Sequence, residues 1–133
     1  MSRGLSNCNP GNIRRSKVRY KGEVHPSRDP AFKQFSSLAW GYRAIFKLLD
    51  TYRIRYGIDT IETMIARWAP PSENHTQGYI RAVSDQAGLP ADQRLDTHDR
   101  HTMIPIAAAI SRVENGTPAD RAEIARGWEL FMS

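Results

Sequence analysis

Four stretches of this chain place apolar residues three and four positions apart and are then closed by glycine or proline, a pattern that restricts the fold to short amphipathic helices packed on one another. From Ser37 to about Tyr56, the residues Leu38, Tyr42, Ile45, Phe46, Leu49 and Tyr52 share one helical face, and Gly57 can cap the C-terminus. A second helix is expected from Asp59 or Thr60 to Trp68, with Ile61, Met64, Ile65 and Trp68 on its stripe, Asp59 as N-cap and Pro70-Pro71 as its stop. A third is expected from near Asn74, capped by Ser72 or Asn74, carrying Tyr79, Ile80, Val83 and Ala87 as far as Gly88. The fourth holds Met103, Ile106, Ile110 and Val113, has Pro105 in its first turn and ends at Asn115-Gly116. A fifth helix is expected from about Pro118, with Thr117 as a cap and Ile124, Trp128 and Phe131 among its packing residues.

Residues 1–35 read differently. Pro10, Gly11, Gly22, Pro26 and Pro30 interrupt every regular period, so this part is expected as loop with at most a short hairpin. Val18 and Tyr20 before Gly22, and Phe32 and Phe35 after Pro30, are the residues that could form two brief strands or pin the loop to the core. The fold class is therefore mainly α, a single domain over residues 1–133 with about five helices.

A chain of 133 residues can bury a core without covalent help. It has to, because Cys8 is its one cysteine and excludes an internal disulfide or a multi-cysteine zinc site. The four histidines, His25, His75, His98 and His101, lack helical metal-ligand spacing, and neither a phosphate-binding glycine loop nor a nucleophile elbow occurs. No metal and no cofactor is expected. Met1 to Arg15 has polar and charged residues where a secretory signal needs an apolar run, and no segment has the length of a membrane helix. The expectation is cytoplasmic synthesis without membrane insertion, with any action on a cell wall following release or delivery. A net charge of +5 suits acidic wall polymers, an anionic membrane surface or nucleic acid, without choosing among them.

Two segments carry candidate chemistry. One runs Trp68-Ala-Pro-Pro-Ser-Glu73-Asn74-His-Thr76-Gln-Gly-Tyr79-Ile80-Arg-Ala-Val83; the other runs Ile106-Ala-Ala-Ala-Ile110-Ser-Arg-Val113-Glu114-Asn115-Gly116. The first resembles the Glu-Thr-x-x-Tyr-Val stretch that closes the substrate groove of lytic transglycosylases, and the second resembles the end of their catalytic helix. In that family the helix ending in Glu-Ser-Gly comes first, whereas Glu114-Asn115-Gly116 comes last here, which implies a circularly permuted lysozyme-like domain. Asn9-Pro10-Gly11-Asn12-Ile13-Arg14 is similar to the Asn-Leu-Phe-Gly-Ile-Lys element of flagellar and autolytic glucosaminidases, and Tyr20-Lys21-Gly22, Phe32 to Phe35 and the helix from Gly41 follow that family's order. The N-terminal half also resembles phage virion-associated lysins and phage structural proteins, which implies a phage or prophage source. The chain departs from these patterns where Asn74 stands for Thr, Asn115 for Ser, and Tyr20 for Trp.

Glu114 lies four residues after Ile110 and seven after Ala107, at the edge of the stripe its helix buries. Partial burial there would favour the protonated form, the property of a general acid; the plain alternative is a solvated carboxylate beside a routine C-cap. Glu73, in a turn ahead of a helix, reads as a capping acid or groove residue rather than the proton donor. The resemblance gives Tyr79 a role in supporting the catalytic carboxylate, although a tyrosine at this spacing can equally be core. Asn9 and Asn12 are groove-wall candidates by resemblance and turn formers by residue type. Trp68 could stack on a sugar ring or simply pack.

Taken together, Glu114 and Tyr79 are the expected catalytic pair, with Asn9, Asn12, Glu73, Asn74 and Trp68 binding substrate. The resemblance implies cleavage of the N-acetylmuramic acid to N-acetylglucosamine bond of bacterial peptidoglycan, by a lytic transglycosylase ahead of a hydrolytic muramidase, because no second carboxylate is well placed as nucleophile. Asp29, Asp96 and Glu73 are the possible second acids. The alternatives are a noncatalytic phage virion or wall-binding protein and a basic helical nucleic-acid binder. The last is disfavoured by scattered basic residues, so no nucleic-acid partner is expected.

Overall fold

A computed structural model describes residues 1–71 and 75–133. The expected caps for the third helix at Ser72 and Asn74, and the candidates Glu73 and Asn74, lie outside the described residues. In chain order the elements are α1 (Arg3–Ser6), β1 (Glu23–Val24), β2 (Gln34–Phe35), α2 (Leu38–Tyr56), α3 (Ile61–Trp68), α4 (Thr76–Ala87), α5 (Arg100–Asn115) and α6 (Arg121–Met132). The molecule is mainly helical, as its apolar spacing predicts.

Helix α2 starts where Ser37 accepts from the Trp40 amide and stops where Gly57 turns left-handed at φ 66°. Its apolar face meets α6, and the two backbones approach closely because Gly127 has no side chain: a Cβ there would lie 2.7 Å from Tyr42 Cβ and 2.8 Å from the Ala39 carbonyl. Helix α5 runs through the core with Met103, Ile106 and Ile110 almost fully buried. Tyr42 and Ser111 hydroxyls, 3.0 Å apart, tie α2 to α5 inside this apolar interior.

Several expected boundaries move. Thr60, not Asp59, caps α3, in a reciprocal arrangement with Thr63, while Asp59 instead accepts from Arg94 at 2.9 Å. Asp99 caps α5 so early that Pro105 falls in the second turn rather than the first, where its missing N–H removes the usual i→i−4 donor to the His101 carbonyl. Asp120 caps α6, so that helix begins at Arg121 and leaves Thr117 and Pro118 in the preceding loop.

The N-terminal third is loop-rich as expected, yet densely bonded. It includes the short helix α1, which periodicity did not indicate, and an antiparallel pair in register Glu23 with Phe35 and Val24 with Gln34. Val18 and Tyr20 lie outside the strands, and of the expected strand residues Phe35 alone is in one; Phe32 forms an isolated bridge with Arg14. Ile13, Phe35 and Ala44 make a small apolar cluster that fixes this segment to α2. Lys33 is 1% exposed and satisfied by Glu23 at 2.8 Å and the Val18 carbonyl at 2.7 Å, a buried ion pair that stays acceptable because its remaining donors are used.

Candidate active site

The loop from Asn9 to Arg14 sits against the C-terminal end of α5. Asn9 builds the loop: fully buried, it accepts from the Ile13 amide at 2.9 Å and donates to the carbonyls of Ile13 at 3.0 Å and Lys33 at 2.9 Å. Its side-chain amide is directed inward, and it lines neither of the clefts beside Glu114. Gly41 lets the loop descend onto α2, since a Cβ at that position would strike the Cys8 carbonyl oxygen and lie 2.6 Å from Pro10 Cδ.

Asn115 closes the junction from the other side. Its Nδ2 donates to the carbonyls of Pro10 and Ser111, each at 2.8 Å, and its Oδ1 accepts from the Ser2 hydroxyl at 2.7 Å. One side chain thus joins the helix end, the loop and the start of α1. As the sequence predicts, Gly116 caps α5, with φ 74°.

Glu114 is held at this junction. Asn12 Nδ2 donates to its Oε1 at 2.8 Å, and the Tyr79 hydroxyl donates to its Oε2 at 2.9 Å. The carboxylate is half-buried and each oxygen has a fixed neutral donor, so its orientation is set by groups from a loop and from α4, both distant in sequence. Burial first, and the adjacent Glu114 carboxylate second, push the Tyr79 hydroxyl far above its ordinary pKa, so it remains a neutral donor at any working pH. Asn12 has a left-handed backbone at φ 49° and a buried Oδ1 with no hydrogen-bond partner among the described residues. A left-handed residue and an unused buried acceptor each cost on the order of 1 kcal/mol or more, which marks this position as shaped for something other than stability.

Two clefts meet at Glu114. One, of about 480 Å³, runs past Gly11 to Arg14 and is walled by Tyr20, Phe32, Tyr52 and Trp68. The other, of about 320 Å³, lies on the α4 side between His75, Gly78, Tyr79, Ala82 and Val113. The carboxylate therefore stands midway along an open groove, with aromatic faces on one side of it. Trp68 is half-buried, packed edge-on to Tyr52 with centroids 6.4 Å apart, and a Cβ on Gly11 would lie 2.7 Å from its ring. Burial pushes the Tyr52 hydroxyl up to about 12, with nearby Arg67 only partly offsetting it.

Among the described residues, Glu114 is the sole acid lining either cleft. Asp29 lines neither: its carboxylate accepts from Arg3 at 2.7 and 2.8 Å, from Asn7 at 3.0 Å and from the Ala31 and Phe32 amides. The Arg3 bond above all, then the Ala31 amide, hold it well below the usual carboxylate range. Asp96 lies elsewhere, bonded to Arg53 and the His98 amide. No group of three or more His, Cys, Asp or Glu among the described residues is arranged to hold a metal, and no described helix is long and apolar enough to cross a membrane.

The structure thus brings together Glu114, Tyr79, Asn12 and Trp68 and sets Asn9 behind them. Arg67, Tyr52, Tyr20 and Phe32 also face the groove, and nothing in their spacing distinguished them from core or solvated positions. No family model matches the chain. It is, however, 38% identical over 132 residues to Protein P5 of Pseudoalteromonas phage PM2, in an alignment taking in 96% of this chain and 81% of that protein. The chain belongs to the family of that phage protein.

Proposed function

We propose that this protein is a phage-associated peptidoglycan glycosidase of permuted lysozyme-like fold, cleaving the N-acetylmuramic acid to N-acetylglucosamine bond with Glu114 as its one acid/base. The observation that carries this reading is the Glu114 carboxylate, the one acid among the described residues of both clefts, held by Asn12 and Tyr79 where the two meet. An open groove with an acid at its middle suits a long polymer cleaved internally, and aromatic walls suit the apolar faces of sugar rings. The docking of the Asn9–Arg14 loop beside the helix ending at Glu114 is the contact that a permuted order requires.

In the proposed reaction Glu114 enters protonated and gives its proton to the glycosidic oxygen. The C1–O bond breaks, its electron pair stays with the departing 4-oxygen of N-acetylglucosamine, and positive charge develops at C1 of the muramic sugar. Glu114, now a carboxylate held by Asn12 and Tyr79, accepts the proton of the same sugar's 6-hydroxyl as that oxygen closes on C1. The product is a 1,6-anhydro sugar, and Glu114 is protonated again. With one acid among the described residues of the groove, this intramolecular closure is favoured over hydrolysis, which in most glycosidases engages a second carboxylate.

Mass analysis of the released muropeptides tests the chemistry. Anhydro ends, lighter by one water than reducing ends, are expected; reducing ends would turn the reading to a hydrolytic muramidase.

A further inference from the structure

A third cleft, of about 740 Å³, continues from the groove along α2. It shares Val18, Tyr20, Leu48, Tyr52 and Arg67 with the aromatic cleft beside Glu114, so the two are parts of one concave surface. Its charges are one-sided. Among the described residues Arg19, Lys21, Arg43, Lys47, Arg55 and Arg67 line it, against a single acid, Asp50. That acid is already engaged, accepting from the Thr97 hydroxyl at 2.6 Å with His98 Nε2 at 3.1 Å.

Arg43 is the unusual member. It is 8% exposed, its Nε is buried without a hydrogen-bond partner, and no described carboxylate pairs with it; its guanidinium carbon lies 6.0 Å from the centroid of the Trp40 ring. A buried guanidinium with an idle donor costs stability unless something outside the chain completes it. Lys47 lies one helical turn further along the same face of α2 and is exposed, with no side-chain partner among the described residues. Planar, forked donors such as this guanidinium match carboxylates.

We infer that this cleft is a subsite for the carboxylates of the wall's stem peptides, with Arg43 at its floor and Lys47 at its mouth. The inference rests on the glycosidase reading: a glycan strand lying across Glu114 carries peptides on its muramic sugars, and the neighbouring cleft is where such a branch would pass. Val18, Ile54 and Tyr56 at its edge are 58%, 69% and 53% exposed and offer apolar contact to the peptide's methyl groups.

Two readouts on the full chain test it. The Arg43 Nε–H resonance is followed by NMR during titration with a soluble stem peptide bearing free carboxylates. A saturable shift is expected, absent with the fully amidated peptide and about tenfold weaker in Lys47→Glu. Cleavage rates are then compared on glycan strands with and without their stem peptides. The wild type should prefer the peptide-bearing strands by about tenfold, and both Arg43→Met and Lys47→Glu should lose that preference. A peptide response without product from either glycan would overturn the glycosidase reading and leave the subsite standing. Equal cleavage of both glycans with no peptide response would overturn the subsite alone. Binding to phosphatidylglycerol vesicles that Lys47→Glu abolishes, with no response to peptide, would overturn it in favour of a lipid surface.

Discussion

Asn12 and Glu114 are 102 positions apart in the chain, and the amide of one lies 2.8 Å from the carboxylate of the other. That closure depends on the N-terminal loop folding onto the end of α5, so the candidate site exists only in the complete fold. Replacing Asn12 with glycine keeps the left-handed backbone and removes the bond to Glu114. Wall-clearing activity is expected to fall by about ten- to a hundredfold with the melting temperature little changed, whereas Asn12→Ala, strained at φ 49°, should lose both activity and stability. Activity assays and thermal melts on the two variants separate these effects.

Tyr79→Phe removes one hydroxyl and preserves the packing of a ring that is 7% exposed. The change should cost about 1 kcal/mol of stability. Its larger effect is expected on kcat, with KM little altered, because the lost bond orients the acid rather than the substrate. Steady-state kinetics on a soluble glycan fragment would show the split, and a raised KM at unchanged kcat would place Tyr79 in substrate binding instead.

Gly41→Ala tests the seat of the loop. The added methyl meets the Cys8 carbonyl oxygen and Pro10, so the loop must lift or α2 must shift. A loss of about 1–3 kcal/mol in denaturant unfolding is expected, together with lower activity, even though Gly41 touches neither cleft. Unchanged stability would mean that the loop is not held where the Asn12 to Glu114 contact needs it.

Alkaline pH should weaken the fold through its tyrosines. Burial raises the folded-state values of Tyr20, Tyr42, Tyr52 and Tyr79 above the ordinary value near 10, with Tyr52 pushed up to about 12. Their stability contribution is complete below pH 10 and declines as pH rises through the folded values, because the unfolded chain releases protons that the folded one still holds. At the acid end the sign reverses: Asp29, held low by Arg3, contributes above its ordinary value and loses that contribution as pH falls. Unfolding free energies measured across pH should form a plateau that drops on both sides, and Asp29→Asn should lessen the acid decline.

The helices were legible where their signals are local. Ser37 and Gly57 bracket α2 because a hydroxyl before an apolar stripe and a glycine after it answer the open ends of the helix itself. Asp59 misled because Thr60 and Thr63 form a reciprocal cap while Asp59 pairs with Arg94, a partner 35 residues away. The N-terminal third was hardest to read, since Asn9, Asp29 and Lys33 order it through bonds to distant backbone and side chains that leave no period in the sequence. At the site, Glu114, Tyr79 and Asn12 carried a resemblance and are in contact. Asn115 read as a routine helix end, and its tie to Pro10 and Ser2 follows from tertiary structure alone. Arg43 was indistinguishable from a solvated helix arginine, because nothing in its spacing marks the burial that leaves it 8% exposed.

The central claim is tested most directly by turbidity clearing of purified peptidoglycan with the wild type and Glu114→Gln, each shown to be folded by circular dichroism. Clearing by the wild type that disappears in the variant is the expected result. Equal clearing by both would contradict the assignment of Glu114, and clearing by neither would contradict the glycosidase itself and point to a wall-binding or structural phage protein.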